Sequence, residues 1–251
     1  ATDPDHETQS QYSFAVIATD TAGNASTEQA VTLDINDLDE VAPTVTSGDT
    51  AVAIDENSGA DQVIYTATAD DTADISDGFT FSLAEGSDAA LSIDSVTGEV
   101  SLATDPDHET QSQYSFAVIA TDAAGNASTE QAVTLDINDL DEVAPTVTSG
   151  ATAVAIVENS GADQVIYTAT ADDSADISNG FTFSLTEGSD AALTIDTATG
   201  AVTLTTDPDH ESQSQYSFAV IATDAAGNVS DAQSVTLDIN DLDDTAPIVT
   251  S

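Results

Sequence analysis

The side chains in this sequence with the most chemical capacity are carboxylates, and they come in groups. Between residues 41 and 142 the groups are Asp55-Glu56-Asn57, Asp70-Asp71, Asp105-Pro106-Asp107-His108-Glu109, Asp122 and Asp136-Ile137-Asn138-Asp139, followed by Asp141 and Glu142. Each falls near the end of an expected strand or in a connection. Calcium takes six to eight oxygen ligands from carboxylates, Asn side chains and backbone carbonyls, and this inventory suits that demand. The 251 residues include 47 Asp and Glu, three His and no Lys or Arg, a formal charge of −47. Like charges packed at a domain end repel one another, and with no Lys or Arg the counter-charge is expected to be multivalent cations.

The same arithmetic excludes several functions. Without Lys or Arg the chain cannot neutralise nucleic-acid phosphates or dock by a polybasic patch on an anionic membrane. Schiff-base chemistry, a phosphate-binding loop lysine and Lys or Arg salt bridges are also excluded. With no Cys there are no disulfides, no thiolate catalysis and no sulfur-ligated metal. No leader-like segment and no apolar run of about 18 residues is present, so the segment is expected neither to carry a signal nor to span a membrane. Charge of one sign argues for disorder, but 40% of the residues are apolar and they recur with period 2, so the chain is expected to fold.

The elements that must position these groups are repeated. Asp-Pro-Asp-His-Glu begins at Asp3, Asp105 and Asp207, a period of 102 residues, and residues 41–142 and 143–244 differ at 17 of 102 positions. That repeat is the size of an independent domain, not of a solenoid unit. The chain therefore reads as a window on a longer array: 1–40 the end of one domain, 41–142 and 143–244 whole domains, 245–251 the start of another. About seven alternating stretches mark strands in 41–142: 51–54, 62–69, 79–83, 91–93, 99–102, 114–121 and 131–137. Gly and Asn turn signals separate them. Val133, Leu135 and Ile137 share one face and Thr134, Asp136 and Asn138 the other, as in a half-buried strand. The fold class is all-β: tandem seven-stranded antiparallel Greek-key sandwiches.

The repeat resembles a cadherin repeat over essentially its whole length, particularly the bacterial cadherin-like kind found in arrays of large surface adhesins. Glu56-Asn57 matches the family's x-Glu-Asn, Asp107-His108-Glu109 its Asp-Arg-Glu, Ala120-Thr121-Asp122 its Ala-x-Asp, and Asp136-Ile137-Asn138-Asp139 its Asp-x-Asn-Asp. The resemblance implies calcium bound between successive domains. One junction would use Glu56, Asp107, Glu109, Asp136, Asn138 and Asp139 with Asp172 or Asp173 and Asp224. The earlier one would use Asp5, Glu7, Asp34, Asn36 and Asp37 with Asp70 or Asp71 and Asp122. A third half-site holds Glu158, Asp209, Glu211, Asp238, Asn240 and Asp241.

Two departures stand out. The family's Asp-x-Asp is replaced by adjacent Asp70-Asp71 and Asp172-Asp173, of which only one can face the metal, since strand neighbours point to opposite sides. The run from Asp139 to Pro145 is about three residues longer than the family's, so Asp141 or Glu142 is expected to act as a substitute ligand. His6, His108 and His210 occupy the middle of Asp-x-Glu and are expected to point away from the ion. Asp49, Asp61, Asp88 and Glu130 read as surface charge for solubility. Asn24, Asn126 and Asn228 begin N-x-Ser sequons that carry little weight. Paired carboxylates could do glycosidase chemistry, but no aromatic sugar platform accompanies them, and no catalysis is expected.

The functional expectation is an extracellular, cell-surface spacer or adhesion repeat stiffened by Ca²⁺ and projecting a binding tip. Its partners would be calcium ions at the junctions and neighbouring identical repeats, with no nucleic acid and no direct membrane contact. The alternative is a filament or adhesion module in which repeats self-associate laterally or homophilically. A half domain at the start would expose Tyr12, Phe14 and Val16 unless something covers them.

Overall fold

The computed structural model describes residues 3–75, 77–244 and 246. Residues 245 and 247–251, and with them nearly all of the expected further domain, lie outside the described residues. The chain divides into two compact units, Ala1–Asp139 and Leu140–Ser251. All regular structure among the described residues is β.

The first unit opens with β1 (Gln11–Val16) and β2 (Gln29–Asp34), an antiparallel pair with Phe14 opposite Val31. Nine short strands follow: β3 (Thr44–Val45), β4 (Ile54–Asp55), β5 (Gln62–Thr66), β6 (Ala69–Asp70), β7 (Phe79–Leu83), β8 (Leu91–Ile93), β9 (Glu99–Leu102), β10 (Gln113–Asp122) and β11 (Gln131–Asn138). They form a four-stranded sheet ordered β4-β11-β10-β7, a three-stranded sheet ordered β5-β9-β8, and a β3-β6 pair. The second unit repeats the pattern with β12 (Thr146–Val147), β13 (Ile156–Val157), β14 (Gln164–Thr168), β15 (Ala171–Asp172), β16 (Phe181–Leu185), β17 (Leu193–Ile195), β18 (Ala201–Leu204), β19 (Gln215–Asp224) and β20 (Gln233–Asn240).

Alternation along β10 and β11 builds the core. Tyr114, Phe116, Val118 and Ala120 from β10, and Val133, Leu135 and Ile137 from β11, are all buried. They meet Ile64, Leu91, Val100 and Leu102 from the other sheet, at roughly 1.5–3 kcal/mol for each large apolar side chain removed from water. The edge-on contact of Tyr65 with Phe116, centroids 5.5 Å apart, ties β5 to β10 across the sandwich.

The structure departs from the alternating pattern in three places. The stretch 62–69 is two strands, because β5 carries a bulge between Val63 and Tyr65 and the chain then leaves β9 so that β6 can pair with β3. Thr44–Val45 is a strand too short to show a period. β4 pairs in parallel with β11, so the larger sheet is mixed; the pairing direction of a two-residue strand leaves no mark in its sequence. Gly98 is fixed by geometry: at φ +73 a Cβ there would lie 2.6 Å from the Ala67 carbonyl oxygen and 2.9 Å from the Phe81 ring.

In β1 and β2 the same sequence is exposed. Tyr12 is 38% and Phe14 52% accessible, whereas their counterparts Tyr114 and Phe116 are 5% and 4%. Among the described residues no strand packs opposite this pair, and Tyr12, Phe14 and Val16 are exposed as expected of a half domain.

Candidate metal centres at the ends of the domains

At one end of the 41–139 domain, two motif loops are stitched together. Glu56 follows β4, and its backbone N–H donates to the Asn138 carbonyl at 3.1 Å. Asn57 adopts φ +54 and its N–H donates to the Pro106 carbonyl at 2.9 Å. The Glu56 side chain, 1% exposed, turns inward to accept the His108 N–H at 2.7 Å. Asp107 caps its own turn by accepting the Thr110 N–H at 2.8 Å. Glu56, Asp107 and Glu109 thereby offer carboxylate oxygens within 4.8 Å of one another, about the diameter of a calcium shell. In the second unit Glu158 accepts N–H groups from His210 and Leu242 in the same way, which holds its carboxyl below the usual range.

At the opposite end, Asp122 closes β10 and is wrapped by the loop it begins. Its carboxylate accepts the N–H groups of Gly125 and Asn126 at 2.7 and 2.8 Å and the Asn126 amide at 2.8 Å. Burial pushes its pKa up, but the Asn126 amide and these N–H groups outweigh it and hold the group below 3.8. The adjacent Asp pair is split as strand geometry requires: Asp71 is buried, Asp70 is exposed and accepts the Thr72 N–H. Asp173 and Asp172 divide the same way.

The segment after β2 supplies the rest. The other Asn126 amide hydrogen goes to the Asp39 carbonyl at 2.9 Å, and the Glu40 N–H points to Asp74 at 3.4 Å. Glu7, Glu40 and Asp74 form a further group within 4.8 Å. The second unit repeats this: Asn228 donates to the Asp141 carbonyl and the Glu142 N–H to Asp176. Asp74 and Asp176 escape the motif-based reading, as do Asp39 and Glu40, although their counterparts Asp141 and Glu142 stand among its substitutes. The sequence signal was the third Asp of Asp70-Asp71-Thr72-Ala73-Asp74, repeated one period later.

Other motif residues are placed differently. Asp34, Asp136 and Asp238 sit on exposed strand positions, where Gln11, Gln113 and Gln215 donate to them across the strand pair. The Asn138 amide donates to Asp55 at 2.9 Å, while Asn36 and Asn240 are exposed. Asp5 and Asp209 cap their turns through Thr8 and Ser212. Asp88, read as surface charge, instead accepts from Gln111 at 2.9 Å. The Asn24 and Asn126 sequon amides are engaged by Asp20 and Asp122. The histidines do not point away. The Nδ1 atoms of His6, His108 and His210 lie 3.2, 3.4 and 3.9 Å from carboxylate oxygens of Asp37, Asp139 and Asp241.

Several of these carboxylates contain oxygens that are buried without a hydrogen-bond partner: Oδ1 of Asp37, Asp39 and Asp139, Oδ2 of Asp71 and Asp224, and both oxygens of Asp141. Burial, then the charges of Asp122, Asp71 and Asp74, push Asp39 up, against a backbone N–H that pulls it down. Burial, Asp122 and Asp70 push Asp71 up, and burial with Asp224, Asp173 and Asp176 does the same to Asp141. A carboxylate oxygen shut off from both water and a hydrogen-bond donor is unfavourable unless a cation meets it, and the chain has no Lys or Arg to do so. An oxygen-rich set of this kind fits a hard divalent ion such as Ca²⁺.

The cadherin domain model matches residues 50–138 and 152–240; the chain belongs to the cadherin domain family, whose domains are adhesion modules and not enzymes. It is 27% identical over 252 residues to human protocadherin Fat 1, covering 97% of this chain and 5% of that protein. To mouse protocadherin Fat 4 it is 30% identical over 260 residues, again 97% of this chain and 5% of that protein. The chain thus spans about a twentieth of the length of these relatives. Among solved structures, the EC22-24 fragment of mouse cadherin-23 shares the fold, with TM-score 0.64 and 23% identity over 96% of this chain and 78% of that one.

Proposed function

We propose that this chain is an extracellular cadherin-type spacer, part of the stalk of a large cell-surface protein, in which Ca²⁺ at the domain ends stiffens successive repeats. The buried carboxylate oxygens without partners, in a chain with no Lys or Arg, carry this reading. Glu7, Asp39, Glu40, Asp71, Asp74 and Asp122 would hold the ion at the first junction. Glu56, Asp107, Glu109 and Asp139 would offer ligands at the end of the first unit, and Asp141, Asp173, Asp176 and Asp224 at the start of the second. A bound ion converts mutual repulsion into a shared coordination shell, so its binding free energy becomes resistance to bending and unfolding. The near-identity of the repeats, 17 differences in 102 positions, suits a part whose contribution is length, as in the large adhesins that the repeat resembles.

The test is small-angle scattering with parallel thermal melts of the 251-residue chain in EDTA and in millimolar Ca²⁺. A longer, stiffer particle with a higher melting temperature in calcium is expected. No change in either sinks the proposal, and a calcium-dependent rise in scattering mass would assign the role to self-association instead.

A further inference from the structure

The residue between the two acids of Asp-x-Glu is His in all three copies, and each imidazole, about a third exposed, turns one nitrogen towards the motif carboxylates. Nδ1 of His6 lies 3.2 Å from Asp37 Oδ1 and 3.5 Å from Glu7 Oε1. Nδ1 of His108 lies 3.4 Å from Asp139 Oδ2 and 3.5 Å from Glu109 Oε1. Each His, Glu and Asp trio, including His210, Glu211 and Asp241, has ligand atoms within 4.8 Å of one another. Asp37 Oδ1, the atom that faces the His6 nitrogen, is also one of the buried oxygens without a hydrogen-bond partner.

We propose that each trio is a mixed nitrogen and oxygen site for a borderline divalent ion, Zn²⁺ or Co²⁺, which the all-oxygen chemistry of calcium does not explain. Zinc bonds to imidazole nitrogen and carboxylate oxygen at about 2.0–2.2 Å, so two ligand atoms on a tetrahedron around it are about 3.3–3.6 Å apart. The separations at His6 and His108, 3.2–3.5 Å, come within about 0.1 Å of that edge length. At that spacing either Nδ1–H donates to the carboxylate or, in the other tautomer, the nitrogen lone pair and the carboxylate can close on one metal ion. Calcium takes oxygen ligands and gains nothing from the imidazole, whereas zinc and cobalt take imidazole readily. At His210 the separation from Asp241 widens to 3.9 Å, so that site is the weakest of the three. The trio shares Glu7 and Asp37 with the calcium reading but does not depend on it.

The experiment is calorimetric titration of the EDTA-stripped, dialysed chain with Zn²⁺ and separately with Ca²⁺, plus the visible spectrum with Co²⁺. Wild type is compared with His6→Gln, His108→Gln and His210→Gln combined, each protein checked by circular dichroism. Wild type is expected to show two stronger zinc sites and one weaker one, and a cobalt spectrum with nitrogen ligation. The triple variant should lose at least about tenfold in zinc affinity and keep its calcium affinity. Equal zinc binding by the two proteins overturns the proposal, as does a wild type that takes up no zinc at micromolar concentrations. Calcium binding without zinc binding removes this inference alone; His-dependent zinc binding without calcium binding removes the spacer reading alone. Should the triple variant misfold, the single His108→Gln change is read for the loss of one strong site.

Discussion

Glu56 and His108 are 52 residues apart and are joined by one hydrogen bond, in which the His108 backbone N–H donates to the buried Glu56 carboxylate at 2.7 Å. The bond makes x-Glu-Asn and Asp-x-Glu a single structural object. The charge that would serve a cation is fixed in place by the backbone of the next ligand loop, so neither motif can shift alone.

Glu56→Gln keeps an acceptor for His108 but removes the charge. Calcium affinity measured by calorimetry should fall roughly 10- to 100-fold, with little change in melting temperature in EDTA. Glu56→Ala leaves a buried N–H without its partner and should cost about 1–3 kcal/mol in chemical denaturation even without metal.

Asp39→Asn should have opposite effects in the two conditions. Asp39 faces Asp122, Asp71 and Asp74 and its pKa is raised by burial and these charges. Neutralising it relieves repulsion, so the melting temperature in EDTA rises while calcium affinity falls by roughly tenfold. Parallel melts and titrations check both signs, and the same pattern is expected of Asp141→Asn.

Without metal, mild acid should stabilise the protein. Asp39, Asp71 and Asp141 have folded pKa values raised above 3.8, so in that window the folded state holds more protons than the unfolded state. Stability then falls as pH rises from 3.8 through the raised values. Asp122 and Asp224 are lowered, and their contribution is present above 3.8 and lost below it. Melts in EDTA should therefore rise as pH drops from 7 towards about 4 and fall again beyond. In saturating Ca²⁺ the acid branch should only fall, because protons displace the ion.

Gly98→Ala should destabilise the first whole domain by about 2 kcal/mol or more. The added Cβ would meet the Ala67 carbonyl oxygen at 2.6 Å in a positive-φ position. Gly200→Ala should do the same in the second unit, since its Cβ would lie 2.6 Å from the Ala169 oxygen. Denaturant melts of the two variants should each show one transition moved and the other retained.

The strand set, the core face of β10 and β11 and the acidic motifs were legible because each is a local pattern: period 2, a turn residue, a triplet. Asp74 was not legible as a candidate, because its place beside Glu7 and Glu40 arises where three separate segments meet. The histidines were misread for a related reason. Alternation predicts that the middle residue of Asp-x-Glu faces away, but residues 108–110 form a turn that begins at the histidine, where the period-2 rule does not hold.

An all-β repeat with a 102-residue period, a strongly acidic chain with no Lys or Arg, and the inward face of β10 and β11 are all readable in the order of the amino acids. These follow from composition and from side-chain alternation, which need only the neighbouring residues. That Asp71 is inside and Asp70 outside, and that β4 joins β11 in parallel, became visible in the folded chain. Burial and strand pairing depend on what packs opposite a segment, which no run of neighbouring residues records.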